Sequence, residues 1–95
     1  PEVLDRLADD EDLNFRYYVA WNSNTKTETL ERLANDGDTK VRVGVSINPN
    51  TTPVVLERLA NDDVLEVRWY IARNPNTPQY ILTYLKIKKL LNRYE

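Results

Sequence analysis

Val41-Arg42-Val43-Gly44-Val45-Ser46-Ile47 is the stretch on which the fold turns. Taken alone it alternates like a half-buried strand. Twenty-six residues away on either side stand Phe15-Arg16-Tyr17-Tyr18-Val19-Ala20-Trp21 and Val67-Arg68-Trp69-Tyr70-Ile71-Ala72-Arg73. Phe15, Val41 and Val67 are apolar in all three copies, Val19, Val45 and Ile71 follow four residues later, and Ala20, Ser46 and Ala72 stay small. Tyr17, Val43 and Trp69 do not share the strand logic. A spacing of four beside a small neighbour belongs to one side of a helix. The segment is therefore read as a helix, with an α or a tighter 3-10 form left open.

The same period runs through the rest of the chain. Leu7-Ala8, Leu33-Ala34 and Leu59-Ala60 keep it, as do Asp10, Asp36 and Asp62, the arginines 16, 42 and 68, and Asn22, Asn48 and Asn74. Asn24-Thr25, Asn50-Thr51 and Asn76-Thr77 fall on it too. Three units result, 1–26, 27–52 and 53–77, followed by a partial unit with a capping helix over 78–95. A unit of this length accommodates two helices of roughly nine residues with two short connections. A leucine-rich repeat of the strand-bearing kind needs L-x-L-x-x-N, which is absent. Leu30, Leu33, Ala34 and Leu56, Leu59, Ala60 instead show helical spacing of three and four.

Start and stop signals agree with two helices per unit. Pro53 after Thr52 and Pro78 after Thr77 read as a threonine cap with proline in the first turn. Thr25 with Glu28 reads as a capping box. The stops are Asp9-Asp10, Asn35-Asp36-Gly37 and Asn61-Asp62-Asp63, with Gly37 suited to a left-handed cap. Pro1 aligns with Pro53, so the chain begins inside a unit, as a segment of a longer array would. From Tyr84 to Glu95, apolar Leu85, Ile87, Leu90, Leu91 and Tyr94 read as a long last helix closing the stack.

Composition narrows the chemistry. The chain has 95 residues, no cysteine, no histidine and two glycines. Structural disulfides, thiolate metal sites and cysteine nucleophiles are excluded, the commonest general base is missing, and no glycine-rich phosphate loop exists. Thirteen basic residues against fifteen acidic ones leave a net charge of −2. That balance argues against a general nucleic-acid binder, which needs surplus cations to displace phosphate counterions. No apolar run is long enough to span a bilayer. The expectation is a non-enzymatic, cytoplasmic domain without membrane segment, metal or cofactor. The Asn-x-Asn-Thr turns lack the carboxylate spacing of a calcium loop, and side-chain bonds to the backbone explain them.

Leu59-Ala60-Asn61-Asp62, Val67-Arg68 and Ile71-Ala72-Arg73-Asn74-Pro75-Asn76-Thr77-Pro78 resemble the variant leucine-rich repeat (LRV) family, an architectural relative of HEAT repeats. The second unit repeats the pattern as Leu33-Ala34-Asn35-Asp36, Val41-Arg42 and Val45-Ser46-Ile47-Asn48-Pro49. The first has Phe15 for valine and Ser23 for proline. The 26-residue period and the tail after Leu85 depart from the family. The resemblance implies an all-α, right-handed α-solenoid (superhelix) of short two-helix units, and a scaffold for interactions without catalytic residues.

Two side-chain series stand out. Asp10, Asp36 and Asp62 with Arg16, Arg42 and Arg68 read as a structural ladder, each arginine bonding the turn aspartate of its own or the adjacent unit through its planar fork. On the second helices, Phe15 and Val19 point inward, and opposite them lie Tyr17 and Trp21, Val43 and Ile47, Trp69 and Arg73. Each pair is four apart, and stacking aligns the pairs into an aromatic and aliphatic stripe. A contiguous patch of this kind marks an interaction site. The competing readings are burial of the stripe by missing flanking units or by a sheet-like packing, and a different rotation of the helix. Tyr18, Gly44 and Tyr70 are placed between neighbouring units, with Gly44 a gap or a site of close approach. Glu2, Asp5, Arg6, Glu31, Arg32, Glu57 and Arg58 form a solvated face.

The stripe points to a protein or peptide partner. The alternative is a HEAT-like nucleic-acid-binding module, with the aromatics stacking on bases and Arg73, Arg68 and the tail lysines meeting phosphates. The ends differ in charge: six carboxylates against Arg6 give −5 over residues 1–12, and four cations against Glu95 give +3 over 86–95. Head-to-tail self-association would follow if those ends meet. Complementing of helix dipoles accounts for the same asymmetry.

Overall fold

The computed structural model describes residues 2–92, and every described regular element is an α-helix. The readings made for Pro1, Arg93, Tyr94 and Glu95 lie outside those residues. Three short first helices, α1 (Glu2–Leu7), α3 (Thr27–Leu33) and α5 (Pro53–Leu59), alternate with three nine-residue second helices, α2 (Leu13–Trp21), α4 (Thr39–Ile47) and α6 (Leu65–Arg73). The last helix, α7 (Gln79–Asn92), spans fourteen residues. The second segments are thus α-helical, and the strand-like alternation of Val41–Ile47 is overridden by its neighbours.

Within the row, α2 packs on α4 and α4 on α6, while each first helix lies against the second helices beside it. The body measures 46 × 23 × 15 Å. Leu30, Leu56, Val19, Val41, Val45, Val67 and Ile71 are fully buried between the two rows. Each leucine so buried contributes on the order of 1.5–3 kcal/mol. Phe15 is a correction: it is 46% exposed, although its counterparts Val41 and Val67 are sealed. Among the described residues no second helix covers the outer flank of α2. The opposite end shows the same effect, for Ala72 is exposed where Ala20 and Ser46 are buried.

The helix boundaries depart from the sequence reading in instructive ways. Thr52 does cap α5, accepting from the Val55 amide, with Pro53 in the first turn. Pro78, however, precedes α7 and lies in register with Thr52. Its carbonyl accepts from the Ile81 and Leu82 amides. Thr25 and Thr77 are not caps either. With Thr51 they are buried, and each hydroxyl donates to a carbonyl six residues back: Val19, Val45 or Ile71, at 2.6–2.7 Å. No described glycine has positive φ, so Gly37 does not form a left-handed cap. Instead Asp12 and Asp38 cap α2 and α4 by accepting from Asn14 and Lys40 amides at 2.8 Å.

The length of α7 has a local cause. Where α5 ends in Ala60-Asn61-Asp62, α7 has Lys86-Ile87-Lys88, which offer no turn-forming side chain, and the helix continues. Ile81 is buried against the core, but Ile87, Leu90 and Leu91 are more than half exposed. The described part of the last helix therefore carries exposed apolar side chains.

Candidate interaction groove and the ladders beneath it

Two side-chain ladders hold the second helices in register. The Nε of Arg16 donates to Asp36 at 2.8 Å, and its Nη1 donates to the Asp10 carbonyl at 2.9 Å. Arg42 repeats this with Asp62 at 2.8 Å and the Asp36 carbonyl at 2.8 Å. The carboxylate partner thus belongs to the following unit, twenty residues on, while the arginine's own unit contributes only a backbone oxygen. The hydrogen bond to Asp36, aided by the charges of Asp36, Asp38 and Asp10 and opposed by desolvation, raises the pKa of Arg16 further. Asp10, Asp36 and Asp62 each also accept the backbone amide two residues on. Arg68 bonds the Asp62 carbonyl, but the register position of its next aspartate is occupied by Lys88.

The asparagines make the second ladder. Asn48 is buried, and its Nδ2 donates to the carbonyls of Ala20 (2.7 Å) and Asn22 (2.9 Å) in the preceding unit. Asn74 does the same to Ser46 (2.8 Å) and Asn48 (3.3 Å). Asn50 and Asn76 reach back to carbonyls of the preceding turn, including Ser23 and Pro49. These donors satisfy C-terminal helix carbonyls that would otherwise be left open. The turns are thus staples between units. Among the described residues no group of three or more acidic side chains is arranged to hold a metal ion.

The outer side of the second helices is not the uniform stripe read from the sequence. Tyr17 and Trp21 meet edge to face at 5.9 Å. Trp21 and Trp69 are each 47% exposed, whereas Val43 is only 7% exposed and Ile47 is half-buried. Val43 therefore does not stand on the surface beside Tyr17 and Trp69. It sits below them, because its side chain is shorter and both flanking helices carry rings. Around it opens a groove of about 320 Å³ lined by Leu13, Asn14, Tyr17, Trp21, Lys40, Val43, Glu66 and Tyr70. Three of the six stripe residues meet there. Ile47, Trp69 and Arg73 do not line it. Arg73 instead lies over the Trp69 ring, its Cζ 3.4 Å from the centroid, and Tyr70 meets the same indole edge-on at 5.0 Å.

Sequence reasoning missed Leu13, Asn14, Lys40 and Glu66 and assigned Tyr70 elsewhere. Their signal is register: Asn14, Lys40 and Glu66 are equivalent positions, one turn before Tyr18, Gly44 and Tyr70. Of that last trio Gly44 does sit at a close approach, against Ala20. Tyr18 does not pack between units. It is 55% exposed, its hydroxyl accepting from the Asn22 amide group at 3.2 Å. The solvated face of the first helices carries cross-unit contacts as well: Arg32 pairs with Asp9 at 2.8 Å, and Lys26 lies 3.8 Å from Asp5.

A second hollow, of about 300 Å³, lies between α5 and α7, bordered by Glu57, Asn61, Tyr80 and Tyr84. Desolvation and a hydrogen bond to Glu57 raise the pKa of Tyr80. No described helix is long and apolar enough to cross a membrane. Compared with protein-family models, curated proteins and solved structures, the chain matches none.

Proposed function

We propose that this chain is a non-catalytic scaffold of the LRV or HEAT-like kind, a right-handed α-solenoid of 26-residue units that binds a protein or peptide across α2, α4 and α6. The observation that carries this reading is the pair of half-exposed tryptophans on the second helices, Trp21 and Trp69, the first of which lines the aromatic-walled groove. Exposing two indoles has a hydration cost, and Trp, Tyr and Arg are the residue types that dominate binding hot spots. The repeat supports a scaffold, since its polar side chains are consumed in joining one unit to the next.

The nucleic-acid alternative has less support. Of the arginines it needs, Arg68 bonds the Asp62 carbonyl and Arg73 is laid over Trp69. Cations committed in this way are poor phosphate ligands.

The test is to immobilise the full chain and its Trp21→Ala and Trp69→Ala variants and compare far-ultraviolet circular dichroism with capture of proteins from a lysate. Unchanged helicity with lost capture is expected. Loss of helicity in both variants would show that the indoles serve the fold. Retention of labelled RNA or DNA on a filter at low salt would favour the alternative.

A further inference from the structure

The row of second helices is broken at its centre. At one register position stand Tyr17, Val43 and Trp69, and at the next Tyr18, Gly44 and Tyr70. The middle helix thus carries the smaller residue at both, between neighbours with rings. Gly44 has nothing to project, and its Cα face is pressed against Ala20 and Trp21. Val43 forms an apolar floor. Tyr17 and Trp21 wall the notch on the α2 side and Tyr70 on the α6 side. Lys40 and Glu66 stand at its border on different helices. Neither has an ion-pair partner among the described residues.

We infer that this notch seats one leucine-sized apolar side chain of a partner peptide that carries an acidic residue on the α4 side and a basic residue on the α6 side. The inference rests on the scaffold reading and sharpens it to one anchor and a charge pattern. An apolar floor between rings favours an apolar guest, because such a guest gives up no hydrogen bonds to water when it covers the lining. The two border charges supply orientation: each attracts the opposite sign and repels its own, which selects register more than it adds affinity.

The repeat also supplies its own control. Tyr17 and Trp69 show that this register position accepts a ring on a second helix, so Val43→Tyr fills the notch with a side chain that the architecture already carries. The probes are three capped pentapeptides, Glu-Ala-Leu-Ala-Lys, its alanine-centred form Glu-Ala-Ala-Ala-Lys, and the doubly acidic Glu-Ala-Leu-Ala-Glu. Each is titrated into the isotope-labelled full chain while the Val43 methyl and Trp21 indole signals are followed by NMR.

The leucine peptide is expected to shift both signals and the alanine peptide to bind at least tenfold more weakly. The parent should prefer the peptide with one charge of each sign, and Glu66→Lys should transfer that preference to the doubly acidic one, whichever way each runs through the notch. Val43→Tyr should melt like the parent and lose the response. Equal response to leucine and alanine peptides, or undiminished binding by a folded Val43→Tyr, overturns the inference. Should Val43→Tyr fail to fold, the surface variant Glu66→Lys decides alone, and an unchanged preference overturns it. Shifts confined to Trp69 and Arg73 would overturn the notch and leave the scaffold reading standing. No shift anywhere on α2, α4 and α6 with any probe overturns the notch, while the tryptophan variants judge the broader reading separately.

Discussion

Gly44 and Ala20 meet without room to spare between α2 and α4: a β-carbon built on Gly44 would lie 2.7 Å from the Cβ of Ala20 and 3.2 Å from Cδ1 of Trp21. Glycine in a helix interior ordinarily weakens it by up to about 1 kcal/mol relative to alanine. Here the contact reverses that preference. The neighbour is the first carbon of a side chain on a packed helix, which has no freedom to swing away.

Gly44→Ala is therefore expected to destabilise the chain by about 1–3 kcal/mol, the range for overpacking a tight contact. Chemical denaturation of the variant measures this. A gain in stability would show that α2 and α4 can separate at no cost.

Asn48→Ala removes a buried side chain that donates to the carbonyls of Ala20 and Asn22 and accepts from the Asn50 amide. Stranded polar groups cost about 1–3 kcal/mol each, so a loss of about 3 kcal/mol is expected. For a domain of this size that lowers Tm by more than about 10 °C. Asn24→Ala, at an exposed position in the first unit, should shift Tm little. A similar fall in both would mean that the inter-unit bonds of Asn48 add nothing.

Arg42 tests the other ladder. Its guanidinium spans the Asp62 carboxylate and the Asp36 carbonyl at once. Arg42→Lys keeps the charge but loses the fork. Both Arg42→Lys and Arg42→Ala should lose stability, alanine by about 3 kcal/mol because it leaves a nearly buried Asp62 without its partner. If lysine restores the parent's denaturation midpoint, charge alone holds the units together.

The acidic and basic ends admit a solution test. Asp5 and Asp9 lie beside Lys26 and Arg32, and Asp10 and Asp12 accept amide hydrogens of their own turn. With those acids engaged locally, the chain should sediment as a monomer across concentration at low salt. Growth of the sedimentation coefficient with concentration, reversed by salt, would establish head-to-tail contact instead.

The helices and their period were legible in the sequence because both depend on neighbours close along the chain. Leu30, Leu33 and Ala34 lie on one side of a helix at any location, and three near-copies in register removed the strand reading of Val41–Ile47. The Asp-rich turns were equally local. What needed the tertiary structure were relationships across units: that Arg16 takes the carboxylate of Asp36 and only the backbone of Asp10, that Asn48 reaches two carbonyls of the preceding helix, and that Thr25 turns inward when it resembles a cap. The groove belongs with these. A helical wheel places Val43 beside Tyr17 and Trp69 on one face, but depth on that face is set by the size of the residues on the helices alongside. Phe15 shows the converse, being inward by pattern and exposed because burial requires a neighbour that pattern does not supply. The sequence determined by itself which residues repeat and which helices they form, since short-range sterics and apolar spacing suffice for that. Only packing decided which equivalent residues became core, staple or surface, because each position's environment is made by the units on either side.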